Sequence, residues 1–89
     1  MELSERIIAT LEAAGFPSVF ELSDPADTVS PDQLHSWAIT LVVTDGFLEV
    51  KVAGNTRTLK TGDRIDIKAQ TPYSVVTGAQ GCNYVVGEK

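Results

Sequence analysis

The sequence predicts an all-β fold, a two-sheet antiparallel barrel preceded by one short helix. Three observations carry this. Helical periodicity is confined to the first fifteen residues. From there on, apolar and polar residues alternate with a period of two. Turn signals recur every eight to twelve residues with no helix between them, which fits a sandwich or barrel and excludes a parallel α/β sheet.

The helix is expected over about residues 4–14. Ser4 is a plausible N-cap, Glu5 lies in the first turn, and Gly15 with Pro17 supplies the stop. Leu3, Ile7, Leu11 and Ala14 form one stripe with Ile8 beside it, so the helix lies on the barrel through Leu3, Ile7 and Leu11. A short strand, Val19 to Ser23, follows. A loop then runs from Asp24-Pro25 to about Asp32, with Pro31 inside it. In the next strand Trp37, Ile39, Leu41 and Val43 share one face. Asp45-Gly46 is the dipeptide of a type I′ hairpin, and the return strand separates Leu48, Val50 and Val52 from Phe47, Glu49 and Lys51. Gly54-Asn55 turns into a strand over Thr56 to Leu59. Thr61-Gly62-Asp63 turns into Ile65 and Ile67. Tyr73 to Thr77 and Cys82 to Val86 are read as two strands separated by Gly78-Ala79-Gln80-Gly81. The whole chain, 1–89, reads as one domain, with the barrel over about residues 18–87.

Composition narrows the function. The chain has 89 residues and a formal net charge of −5, which lacks the basic footprint that displaces counterions from phosphates, so no nucleic-acid partner is expected. The charge is uneven. Residues 1–50 hold nine acids and one base, and residues 51–89 hold three acids and six bases; the simplest reading is solvated strand faces. The polar face of the helix is acidic and its longest apolar run is Ile7-Ile8-Ala9, so neither membrane contact nor a signal peptide is expected. The single cysteine, Cys82, excludes an internal disulfide. A cytoplasmic location is the resulting expectation. Cys82 alternates with Tyr84 and Val86 and reads as a small buried hydrophobe. No nucleophile elbow or phosphate-binding loop is present.

The stretch from Thr44 to Val75 resembles the middle of a cupin. The family's rhythm is a glycine-ended turn, a leucine shortly before Gly-Asp, an apolar alternation, and a histidine position after Thr-Pro. Gly46, Leu59, Gly62-Asp63, Ile65 with Ile67, and Tyr73 occupy these places. The likeness extends over roughly residues 30–87, and Gly81 to Gly87 looks like the last strand of small single-domain cupins. It implies a double-stranded β-helix, the jelly-roll barrel, with a pocket at one end. The family's first motif has two histidines one residue apart and then a glutamate. Counted back from Gly46, these fall on Gln33, His35 and Ile39, and the later histidine falls on Tyr73. One usual metal ligand of four remains, so the metal motif is degenerate.

On this resemblance Gln33, His35 and Tyr73 are the candidate ligand-binding residues, with Trp37 and Phe47 as apolar wall. The same three would hold any metal, but one imidazole, one amide and one phenol should bind zinc, nickel, iron or manganese only weakly. No catalytic residue is assigned. The expected function is binding of a small polar molecule of unknown identity, with weak catalysis or none. One alternative is a metal-dependent lyase, isomerase or oxygenase with an atypical ligand set. Another is a dimeric interaction module. A homodimer is expected because a domain this small buries limited apolar area by itself.

Overall fold

The computed structural model describes residues 2–89, apart from the side chains at positions 31 and 32. Helix α1 (Leu3–Ala13) has Glu2, not Ser4, at its N-cap position, and no side chain caps it. Its end is strongly specified. Gly15 takes φ +98°, Gly15 N donates to Glu12 O, and Phe16 N donates to Leu11 O, so the helix closes in a Schellman motif. The same motif brings Phe16 onto Leu11, and both pack on Val85 with Ile7, Ile8 and Val19 around them. Leu3 is left 39% exposed, so the helix docks through its middle and C-terminal turns and not through Leu3.

Six strands follow: β1 (Ser18–Asp24), β2 (Val29–Gln33), β3 (Ile39–Val52), β4 (Asn55–Lys60), β5 (Arg64–Ile67) and β6 (Tyr73–Glu88). All pairings are antiparallel. The long strands β3 and β6 pair with each other almost throughout, and every other strand pairs with one of them. The first half of β3 and the second half of β6 are flanked by β5 and β1. The second half of β3 and the first half of β6 are flanked by β4 and β2. The result is two four-stranded layers that share their central strands, an antiparallel jelly roll.

Two places where turns were expected are bends inside these long strands. Asp45-Gly46 stays paired with β6 between two register shifts, with Asp45 opposite Asn83 and Gly46 opposite Cys82. Gly46 has φ +84°, and a Cβ there would meet Gly81 O at 2.5 Å. Residues 78–81 likewise lie within β6. The true two-residue hairpin joins β3 to β4 at Ala53-Gly54, where both φ values are positive, as a type I′ turn requires. The register shifts explain the core. Ile39, Leu41 and Val43 are buried in the first half of β3, and Leu48 and Val50 in the second, so the inward set changes parity across the bend. β6 does the same between Tyr73 with Val75 and Cys82 with Tyr84 and Val86.

β2 lies within what was expected to be a loop, and β3 begins at Ile39, two residues after Trp37. Among the described residues the only ion pair is the exposed Arg64–Asp66 contact at 3.0 Å, in keeping with charges spread over solvated faces. No described helix is long and apolar enough to cross a membrane.

Candidate functional site

The two layers are closed on one side and parted on the other. On the side of β4 and β5, Leu59 and Ile67 are fully buried against Leu48 and Val50. On the side of β1 and β2 there is a cavity of about 310 Å³. Its floor includes Leu41, Val75 and Val86, and one flank is formed by Phe20 and Leu22, which are 37% and 38% exposed. These two residues and Asp24 follow each other at intervals of two, so β1 turns a single face to the cavity.

At one end of the cavity Gln33, His35 and Tyr73 meet. The Tyr73 hydroxyl donates to Gln33 Oε1 at 3.3 Å, and His35 Nε2 lies 2.9 Å from the same hydroxyl. With the tyrosine proton directed to Gln33, Nε2 carries the hydrogen and is the donor. Gln33 ends β2, and His35 follows in the connection to β3. Its backbone carbonyl accepts from Gln70 N at 2.8 Å, so the β5–β6 turn anchors this connection. Gln70 takes φ +63° there. The Trp37 ring stacks on His35 at 4.9 Å, and its Nε1 donates to Glu88 Oε2 at 3.1 Å. Burial raises the Tyr73 phenol above its ordinary value, helped by the Glu88 carboxylate, so the hydroxyl keeps its proton at neutral pH.

At the other end Tyr84 donates to Asp24 Oδ2 at 2.7 Å. Burial pushes this phenol up further, and the bond to Asp24 adds to the shift. Next to it the Cys82 thiol is raised to about 11 by burial, and then by the Asp24 and Asp45 carboxylates. A thiol in that state is not a nucleophile at neutral pH.

Of the five candidate residues, three therefore converge on the cavity. Trp37 braces the outer side of the His35 ring, where the expectation had placed it in the wall. Phe47 is not in the site. Leu48 faces the core, so its neighbour faces out; Phe47 is 43% exposed and lies over Gly78, in the space a side chain there would fill. Sequence reasoning missed Asp24, Ser30, Tyr84 and Glu88, which also line the cavity. A signal was present: Tyr84, Val86 and Glu88 share one strand face, as do Phe20, Leu22 and Asp24.

Among the described residues no three His, Cys, Asp or Glu side chains gather to hold an ion. The Gln33, His35 and Tyr73 set offers one imidazole, engaged with a protonated phenol.

No family model matches the sequence, and no curated protein matches it. Solved structures do. An RmlC-like cupin from Shewanella frigidimarina superposes with a TM-score of 0.71 at 16% identity, over 79% of this chain and 63% of that one. The fold is the cupin fold. The DMSP lyase DddQ from Ruegeria pomeroyi matches at TM-score 0.75 and 19% identity, over 80% of this chain and 36% of its own. The CENP-C cupin domain of Drosophila melanogaster matches at 0.75 and 16%, over 82% and 57%. The chain thus spans between about a third and two thirds of the length of these structures. A cupin fold at such identities hosts enzymes and non-enzymatic modules alike, and it leaves activity to be argued from the site.

Proposed function

We propose that this cupin domain binds a small polar molecule in the cavity between β1 and β2, without a tightly held metal and with little or no catalysis. The observation that carries the reading is the hydrogen-bonded chain Gln33–Tyr73–His35 at the cavity end. A ligand hydroxyl or amide can join that chain as donor or acceptor, while Val75, Val86 and Leu41 supply the apolar surface that ligand sites of this size need. The positions of the family's metal motif hold Gln33, His35, Ile39 and Tyr73, and Ile39 is a core residue with no donor to offer. Burial that keeps the phenol protonated also disfavours the phenolate a cation would need. The test is a thermal-shift screen of small polar metabolites, repeated on Tyr73→Phe and His35→Ala. Compounds that stabilise the parent and not the variants are expected; a screen with no such compound overturns the reading. Elemental analysis after dialysis checks the metal. Near-stoichiometric zinc, nickel, iron or manganese, lost in His35→Ala, would instead favour the metal-dependent enzyme.

A second reading, a homodimer or interaction module, is supported by the outward apolar residues near β1 and β2. Val29 and Leu34 are exposed, and β1 and β2 each pair on one edge only. Sedimentation at tens of micromolar tests it: a monomer mass rules the homodimer out, and a dimer mass supports it.

A further inference from the structure

The charges around the cavity narrow the ligand class, an inference that rests on the binding function proposed above. Two carboxylates line the cavity, Asp24 and Glu88, and no lysine or arginine does. They stand at opposite ends. Asp24 pairs with Cys82 and Glu88 with Ser18, so six residues of β1 and β6 separate them, about 20 Å along an extended strand. Each carboxylate has one oxygen engaged by an internal donor: Asp24 Oδ2 by the Tyr84 hydroxyl and Glu88 Oε2 by Trp37 Nε1. Both bonds come from neutral donors and fix the orientation of the carboxylate. The nearest terminal cation, Lys89, is drawn away to the outer face, where its Nζ lies 4.9 Å over the Phe16 ring. Between the two ends run aliphatic and aromatic side chains, among them Phe20, Leu22 and Val86.

We propose that the cavity selects a slender organic cation, an alkyl amine with an ammonium group at each end, one held by Asp24 beside Tyr84 and the other by Glu88 beside His35. A volume of about 310 Å³ drawn out along that span fits a narrow chain better than a compact ring. The electron-rich faces of Phe20 and Tyr84 favour a cation further, and an anionic ligand of the same length meets like charge at both ends.

Isothermal titration at constant ionic strength and neutral pH, with four probes that share one carbon chain and differ only at its ends, tests this. The probes are decamethylenediamine, decylamine, decanediol and sebacate, whose ten-carbon chain with a contact at each end matches the span of about 20 Å. Binding is expected to be tightest for the diamine, about tenfold weaker for the monoamine, as befits loss of one charge-assisted bond, and absent for sebacate. Asp24→Asn and Glu88→Gln should each weaken the diamine about tenfold and leave the diol unchanged. Glu49→Gln, the same charge change on the outward face of β3, should leave both unchanged. Diamine binding no tighter than that of diol or sebacate overturns the cation assignment while leaving the binding function standing if either of those binds. Heat from none of the four probes overturns the cation assignment as well, and then the metabolite screen decides the binding function by itself. An equal loss in Glu49→Gln would reduce the effect to the net charge of the chain and also overturn the assignment.

Discussion

The side of the barrel at β4 and β5 and the side at β1 and β2 are built from the same two central strands, yet one is filled and the other parted. Leu59 and Ile67 reach inward and are buried. Phe20 and Leu22 hold the corresponding inward positions of β1 and remain more than a third exposed. The difference lies in what each flanking strand meets. β4 is tied to β5 by a tight turn, in which Asp63 N donates to Lys60 O and Lys60 N to Asp63 Oδ2, and Gly62 N docks that turn onto Val43 O. The connection between β1 and β2 is tied to β6 by Asp27 N to Gly78 O and by Thr28 N to the Thr77 hydroxyl, which fastens one end only. The filled side buries apolar side chains, and the parted side leaves a cavity at the expense of buried area.

Leucine truncation on the two sides measures that contrast most directly. Leu59→Ala should lower stability by about 2–5 kcal/mol, because the neighbours of a fully buried side chain close a cavity only in part. The comparison in urea is Leu22→Ala, treated last below. If both variants shift the midpoint equally, the two sides are not energetically different.

The bend shared by both sides comes next. Gly46→Ala puts a Cβ 2.5 Å from Gly81 O at a positive φ, whereas Gly54→Ala meets the same unfavourable φ with nothing within 4 Å. The second should cost about 1 kcal/mol of backbone strain, and the first about 1–3 kcal/mol beyond that for the forced shift of strand against strand. Equal urea midpoints for the two variants would show that the bend gives way freely.

A third effect belongs to the parted side alone. Tyr73 and Tyr84 have folded-state values raised above the ordinary phenol. In the unfolded chain each ionises near pH 10, as a free phenol does. Their contribution to stability is therefore full below about pH 10 and is lost as pH rises toward the folded-state values, since only the unfolded form releases the proton. The urea midpoint of Tyr84→Phe should fall less steeply above pH 10 than that of the parent. Parallel slopes would remove the burial argument for this phenol.

The helix end and the strand faces were legible in the sequence because their causes are local. Gly15 and Pro17 terminate the helix by backbone geometry, and alternation separates Leu48 from Phe47 wherever the chain is extended. The long strands were not. Asp45-Gly46 and Gly78 to Gly81 carry the residues of turns, and only pairing between positions far apart in sequence, Gly46 with Cys82, holds them in a ladder. β2 was hidden by its proline and by the short connections around it. The site was legible in part for the same reason. Counting from Gly46 and Gly62 located Gln33, His35 and Tyr73 correctly at one end. Phe47 was chosen as an aromatic, whereas its face is set by the buried leucine next to it. Asp24 and Glu88 were overlooked because a carboxylate at a strand end reads as solvated until the facing layer is known.

The smallest expected effect is Leu22→Ala, at about 1 kcal/mol or less, since much of that side chain already meets solvent. Its value is as the partner of Leu59→Ala, and a cost above that of Leu59→Ala would reverse the assignment of the two sides.

Because β1, β2, β4 and β5 are each hydrogen-bonded only to β3 or β6, the molecule is organised as a spine with four dependants. Parting the spine would leave β4 and β5 paired with β3, and β1 and β2 paired with β6. The β3–β4 hairpin closes locally, whereas joining residues 39–52 to residues 73–88 requires closure across the whole of β4 and β5. Such distant closure makes folding slow relative to a helical chain of this length.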